Sequence, residues 1–76
     1  MEYIATFYSH FAAMTFKNEL DQKEINAKLM PVPRLISSSC GTCVKYESDE
    51  IIKPSDCEEL EEIYRVEKKK LIKIEE

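Results

Sequence analysis

One glycine and one histidine stand in a chain of 76 residues, and each scarcity closes off a class of function. A phosphate cradle needs a run of glycines so that backbone N–H groups can approach the anion; Gly41 stands alone among three serines. No Ser/His/Asp set and no paired-carboxylate arrangement can be assembled around His10. No apolar run approaches the roughly 20 residues of a membrane-spanning helix. The start, Met1-Glu2-Tyr3-Ile4, has no basic stretch ahead of an apolar core, so the expectation is a cytoplasmic protein with no membrane contact. A basic face is missing too, since Lys68-Lys69-Lys70 lies in acidic surroundings, which disfavours nucleic acid as a partner. Three cysteines, an odd number, make a poor disulfide framework.

What is present suits one small α+β domain over residues 1–76. Hydrophobic residues make up 43% and charged residues 34%, a balance typical of folded rather than disordered chains. A domain of this size buries only about 60–65% of its unfolded surface, leaving a thin stability margin and little room for a substrate pocket. That favours a carrier, an adaptor or a subunit over a self-contained enzyme. The net charge of −4 is uneven: residues 1–46 carry five Lys/Arg against four Asp/Glu, and residues 47–76 six against eleven. The acidic half reads either as a solvated face or as a surface for a basic partner.

Tyr3–Tyr8 is aromatic and β-branched on both faces, as a central strand is. Ser9 fits a helix N-cap, and a helix is expected over His10–Gln22 with Ala12, Ala13, Phe16 and Leu20 on its core stripe. Phe11 and Met14 fall on the far side, either as scattered exposed apolars or as a contact for a partner or a second copy of the chain. Ile25 tucks under the helix end. Ala27–Val32 reads as a second strand at a sheet edge, because Pro31 and Pro33 lack backbone donors. Cys43–Glu47 reads as a third strand with Val44 and Tyr46 on one face. A short helix is expected within residues 49–61, and strand structure from about 62, with Ile63–Val66 turning through Glu67–Lys70 into Leu71–Ile74.

The order predicts a ferredoxin-like βαββαβ sandwich with a shortened second helix and a C-terminal hairpin. In that topology the turn at Ser9-His10 and the loop Pro33–Thr42 share one end of the sheet, so distant residues converge on one rim.

The loop is where chemistry would lie. Pro31-Val32-Pro33-Arg34-Leu35-Ile36-Ser37-Ser38-Ser39-Cys40-Gly41-Thr42-Cys43 holds two of the three prolines, the only glycine and two of the three cysteines. Arg34, the serines including Ser39, and the N–H groups around Gly41 are candidates to stabilise a Cys40 thiolate, since neighbouring cations and donors lower a thiol pKa. Gly41 permits a positive φ and leaves the backbone open. Cys40 and Cys43 form a C-x-x-C, but a strand rather than a helix follows, unlike the thioredoxin arrangement. Cys43 is therefore either a resolving thiol or a small core residue. Two thiolates can also bind zinc, but a closed site takes about four ligands and only Cys57 and His10 remain, so no metal or cofactor is assigned.

Phe7-Tyr8-Ser9 before an alanine-bearing helix, Lys28-Leu29-Met30-Pro31-Val32-Pro33-Arg34, Ile36-Ser37-Ser38-Ser39-Cys40-Gly41 and Ile63-Tyr64-Arg65-Val66 together resemble the small bacterial family of Se/S carrier-like proteins. The resemblance spans most of the chain, and its most specific parts are the Pro-Arg and Ser-Ser-Cys-Gly segments. It implies a sulfur or selenium carrier with Cys40 as the carrier thiol, Arg34 and Gly41 as its supporting motif, and donor and acceptor proteins of a sulfur relay as partners. Cys43 stands where the family pattern has an apolar strand residue. A thiolate metal module and a plain interaction domain, built on Phe11, Met14 and the acidic half, are the competing readings of the residues.

Overall fold

Both faces of Tyr3–Phe7 are apolar because this strand lies at the centre of a five-stranded sheet. The computed structural model describes residues 1–36, 39–55, 57–68 and 70–74, with only the backbone given for Cys57. In chain order the elements are β1 (Glu2–Phe7), α1 (His10–Gln22), β2 (Ala27–Pro31), β3 (Thr42–Glu47), a single 3₁₀ turn (Cys57–Glu59), β4 (Leu60–Glu67) and β5 (Lys70–Lys73). The strands lie in the order β2-β3-β1-β4-β5, and every neighbouring pair is antiparallel. β1 and β2 consequently run parallel with β3 inserted between them, and α1 makes the crossover. β2 is an edge strand, as its prolines require.

Alternation along β1 assigns the two faces. Tyr3, Ala5 and Phe7 face α1 and pack with Ala13, Phe16, Leu20, Val44, Tyr46 and Ile63. The rings form a chain: Tyr3 stacks on Tyr46 at 5.3 Å, Phe16 meets Tyr46 edge-on at 5.7 Å, and Phe7 lies 5.4 Å from Phe16. Each fully buried aromatic of this kind contributes on the order of 2–3 kcal/mol through burial. Ser9 caps α1 as its position predicts, its hydroxyl accepting the Ala12 N–H at 3.2 Å. Phe11 and Met14 are exposed, at 77% and 42%. Among the described residues no helix is long and apolar enough to cross a membrane.

The two-helix sandwich expected from the sequence needs correction. One helix and five strands are present among the described residues, and the second helix is reduced to the 3₁₀ turn at Cys57–Glu59. Tyr46 fixes the start of the connection from β3 to β4. Its hydroxyl accepts the Ile52 N–H at 3.2 Å and donates to the Ile52 carbonyl at 3.1 Å. These bonds pin the backbone at Ile52 to the core, and Pro54 in the same segment supplies no N–H for a helical ladder. Ile52 packs against the core, and Pro54 is buried two residues later. The connection from β3 to β4 is thus a strap held beside α1 rather than a helix. Beyond it, β4 and β5 form the expected C-terminal hairpin, in which Glu67 pairs with Lys70 and Lys68 takes φ 45° in the turn.

Candidate functional site

The parallel course of β1 and β2 brings the start of α1 and the loop after β2 to one rim. His10 Nδ1 lies 3.1 Å from the Thr42 hydroxyl. The antiparallel β4 begins at the same rim, and Glu59 Oε1 accepts from the Ser9 hydroxyl at 2.9 Å. The predicted convergence of Ser9 and His10 with the loop is therefore realised, and β4 joins it.

The loop is a closed ring. The Val32 N–H donates to the Gly41 carbonyl at 3.1 Å, and within the ring Ile36 N–H donates to Pro33 at 3.0 Å. Such closed surface loops are packed by their own side chains. Here Ile36 is turned down onto the sheet face opposite α1, where it forms a buried cluster with Ile4 and Cys43. Gly41 has φ +74°, with open space where a Cβ would stand, so the backbone angle and not crowding requires glycine. Ser37 and Ser38 lie outside the described residues.

A β-bulge fixes the other side of the loop. Thr6 pairs with Glu62 but Phe7 pairs with Leu60, leaving Glu61 without a partner across the sheet. Bulges re-aim side chains in this way. The Glu61 carboxylate accepts from the Ser39 N–H at 3.0 Å and from its hydroxyl at 3.1 Å. In the sequence Glu58, Glu59, Glu61 and Glu62 belong to the acidic half, read as a solvated face or as a surface for a basic partner, so the roles of Glu59 and Glu61 were missed. No sequence signal marks them, since their partners are 50 and 22 residues away and a bulge sets where Glu61 points.

The two described thiols differ sharply. Cys40 is partly exposed, and its Sγ donates to the Thr42 carbonyl at 3.4 Å. Cys43 is 0% exposed. It sits between Met30 of β2 and Thr6 of β1 in the sheet register, with Ile36 in the same buried cluster. Burial, with a smaller contribution from the neighbouring Cys40, pushes its thiol up to about 11. The Cys43 thiol makes a weak contact to the Pro31 carbonyl at 3.8 Å.

Among the described residues, neither Ser39 nor Arg34 is engaged with Cys40. Ser39 is committed to Glu61, and the exposed Arg34 makes no hydrogen bond or ion pair among the described residues. Among the described residues no three His, Cys, Asp or Glu side chains gather as metal ligands. The Cys57 side chain lies outside the described set.

No curated protein and no solved structure shows a significant match to the chain. A family model does match, over residues 2–76, and on that ground the chain belongs to the family described as "Putative Se/S carrier protein-like".

Proposed function

We propose that the chain carries sulfur or selenium on Cys40 between a donor and an acceptor protein. The observation that supports this most directly is the contrast in access: Cys40 is partly exposed at a rim, whereas Cys43 is sealed in the sheet. Family membership supplies the class of cargo. In the sulfur case, the Cys40 thiolate attacks the outer sulfur of a persulfide on the donor. The Cys40 S–S bond forms as the donor's S–S bond breaks, the donor leaves as a thiolate, and the proton lost by Cys40 balances that charge. No net oxidation occurs. Delivery is the same exchange in reverse order. Cys43, buried and held as a thiol, leaves the loaded Cys40 unresolved, so the cargo survives until an acceptor arrives. Gly41 shapes the loop that presents the sulfur, Arg34 stands exposed in that loop as a cation for the incoming cargo, and Ser9, His10 and Ser39 support its rim.

Mass spectrometry tests the reading. After incubation with a cysteine desulfurase and cysteine, a gain of about 32 Da should map to Cys40 and vanish in Cys40→Ser. No adduct at Cys40 from several donors, or an adduct confined to another cysteine, refutes it.

A further inference from the structure

The strap that replaces the second helix is thinner than a helix, and it leaves a groove of about 280 Å³ beside α1. Its apolar floor is Phe11, Ala12 and Phe16, and three carboxylates, Glu19, Glu58 and Glu59, stand along it. No lysine, arginine or histidine is among its described lining residues. Glu19 accepts from the Ser55 N–H at 3.2 Å and from its hydroxyl at 2.9 Å; Glu59 accepts from Ser9. Hydroxyl and amide donors fix Glu19 and Glu59 without cancelling their charge.

We infer that this groove is the docking site for an arginine side chain of the protein that exchanges cargo with Cys40. The volume is below the roughly 300–1,000 Å³ of pockets that enclose whole small ligands, and it suits one long side chain. Phe11 offers an aromatic face at 77% exposure, onto which a guanidinium stacks. Glu59, with one oxygen on Ser9, and Glu19 offer negative charge to a guanidinium, which is more weakly hydrated than a lysine ammonium and stacks on an aromatic face. The location fits as well. Phe11 follows His10, whose ring meets Thr42, and Glu59 is bonded to Ser9, so a partner held in the groove lies at the rim that carries Cys40. The identity of the partner as a cargo donor or acceptor rests on the carrier reading; the recognition of arginine does not.

The test is a backbone-amide NMR titration of the full chain carrying Cys40→Ser, at low salt. The probes are acetyl-Ala-Arg-Ala-amide and the same peptide with neutral citrulline for arginine. The arginine peptide should give saturable shifts at Phe11, Ala12, Thr15 and Ser55 by about 10 mM. The citrulline peptide should bind about tenfold more weakly, and Phe11→Ala and Glu59→Gln should each weaken arginine binding about threefold or more. Equal response to both peptides, shifts that appear elsewhere, or shifts at these amides on raising protein concentration alone (a second copy in the groove) overturn the proposal. Loading of wild-type Cys40 from free cysteine persulfide, which needs no docking, separates the two readings. Loading without arginine binding removes the groove proposal and leaves the carrier. Arginine binding without loading removes the carrier and leaves a cation-docking module.

Discussion

The Glu61 carboxylate grips Ser39 at two points, one oxygen on the backbone N–H at 3.0 Å and the other on the hydroxyl at 3.1 Å. The grip joins β4, through its bulge, to the residue next to Cys40. Glu61→Ala should therefore release this end of the loop. The contact is exposed, so the loss in global stability should be about 1 kcal/mol or less. The local effect should be larger: hydrogen exchange at the Ser39 amide should quicken by about tenfold or more. Glu61→Gln keeps one acceptor oxygen and should fall between. An unchanged Ser39 exchange rate in Glu61→Ala would mean the grip holds nothing.

Alkylation should separate the thiols. With iodoacetamide near neutral pH, Cys40 should react readily and Cys43 at least about 100-fold more slowly, since Cys43 is fully enclosed and its thiol ionises only near 11. Ile36→Ala removes the loop side chain that shares the buried cluster with Cys43. It should raise the Cys43 rate by about tenfold while leaving Cys40 within a factor of about two. Peptide mapping of the alkylated protein gives both rates. Comparable rates at the two cysteines in the wild-type chain would show that the ring does not seal the sheet.

Much of this arrangement was legible in the sequence, and the reason differs by element. β1 was readable because five successive apolar or small residues on both faces fit only a central strand. Ser9 was readable because capping is local chemistry. Phe11 and Met14 stood out because helical phase is fixed by the residues around them. The strap was not readable: residues 49–61 hold many helix-compatible residues, and the contact that pins Ile52 is a hydroxyl at Tyr46, in another element. Glu59 and Glu61 were not readable either. Their partners, Ser9 and Ser39, lie 50 and 22 residues away, and a single-residue bulge decides where Glu61 points. The C-x-x-C spacing left Cys43 open as a resolving thiol or a core residue, and its burial is set by strand alternation and by Ile36 from the loop, neither of which the spacing carries.

Stability should depend on alkaline pH through Cys43. In the folded chain its thiol stays protonated to about 11, against 9.0 when exposed. Above 9.0 the unfolded chain loses a proton that the folded chain keeps, so rising pH favours unfolding. The contribution is complete below pH 9 and lost as the pH passes 11. Two pKa units correspond to roughly 2–3 kcal/mol. Burial also raises Tyr46, which adds to the wild-type decline. Denaturant titrations at several pH values should therefore show a shallower decline in Cys43→Ala than in the wild type. Parallel curves would mean that Cys43 is not held as the thiol.

Gly41→Ala should be destabilising for a reason that involves no clash. A Cβ at this position meets nothing within 4 Å, yet φ is +74°. An L-residue in that region is disfavoured by about 1–2 kcal/mol. Gly41→Asn should cost less, since asparagine tolerates the left-handed region. The Val32–Gly41 bond that closes the ring should be the first to weaken. Equal denaturation midpoints for wild type and Gly41→Ala would argue that the loop relaxes to a negative φ freely.

Tyr46→Phe tests the strap. The ring would keep its stacking with Tyr3 and its edge contact with Phe16, so the core should stay filled. Only the hydroxyl is lost, and with it the donor and acceptor for both backbone groups of Ile52. Leaving partly buried polar groups unpaired costs about 1–3 kcal/mol, and the strap can recover part of this only by moving toward water. The expected result is a loss of roughly 1–2 kcal/mol, with faster hydrogen exchange at Ile52 and loosening near Pro54 and Ser55. Because Ser55 is tied to Glu19 across the groove, the same change should weaken arginine-peptide binding without touching any groove residue. Unaltered stability and exchange in Tyr46→Phe would show that Ile52 and its neighbours hold the strap by packing alone.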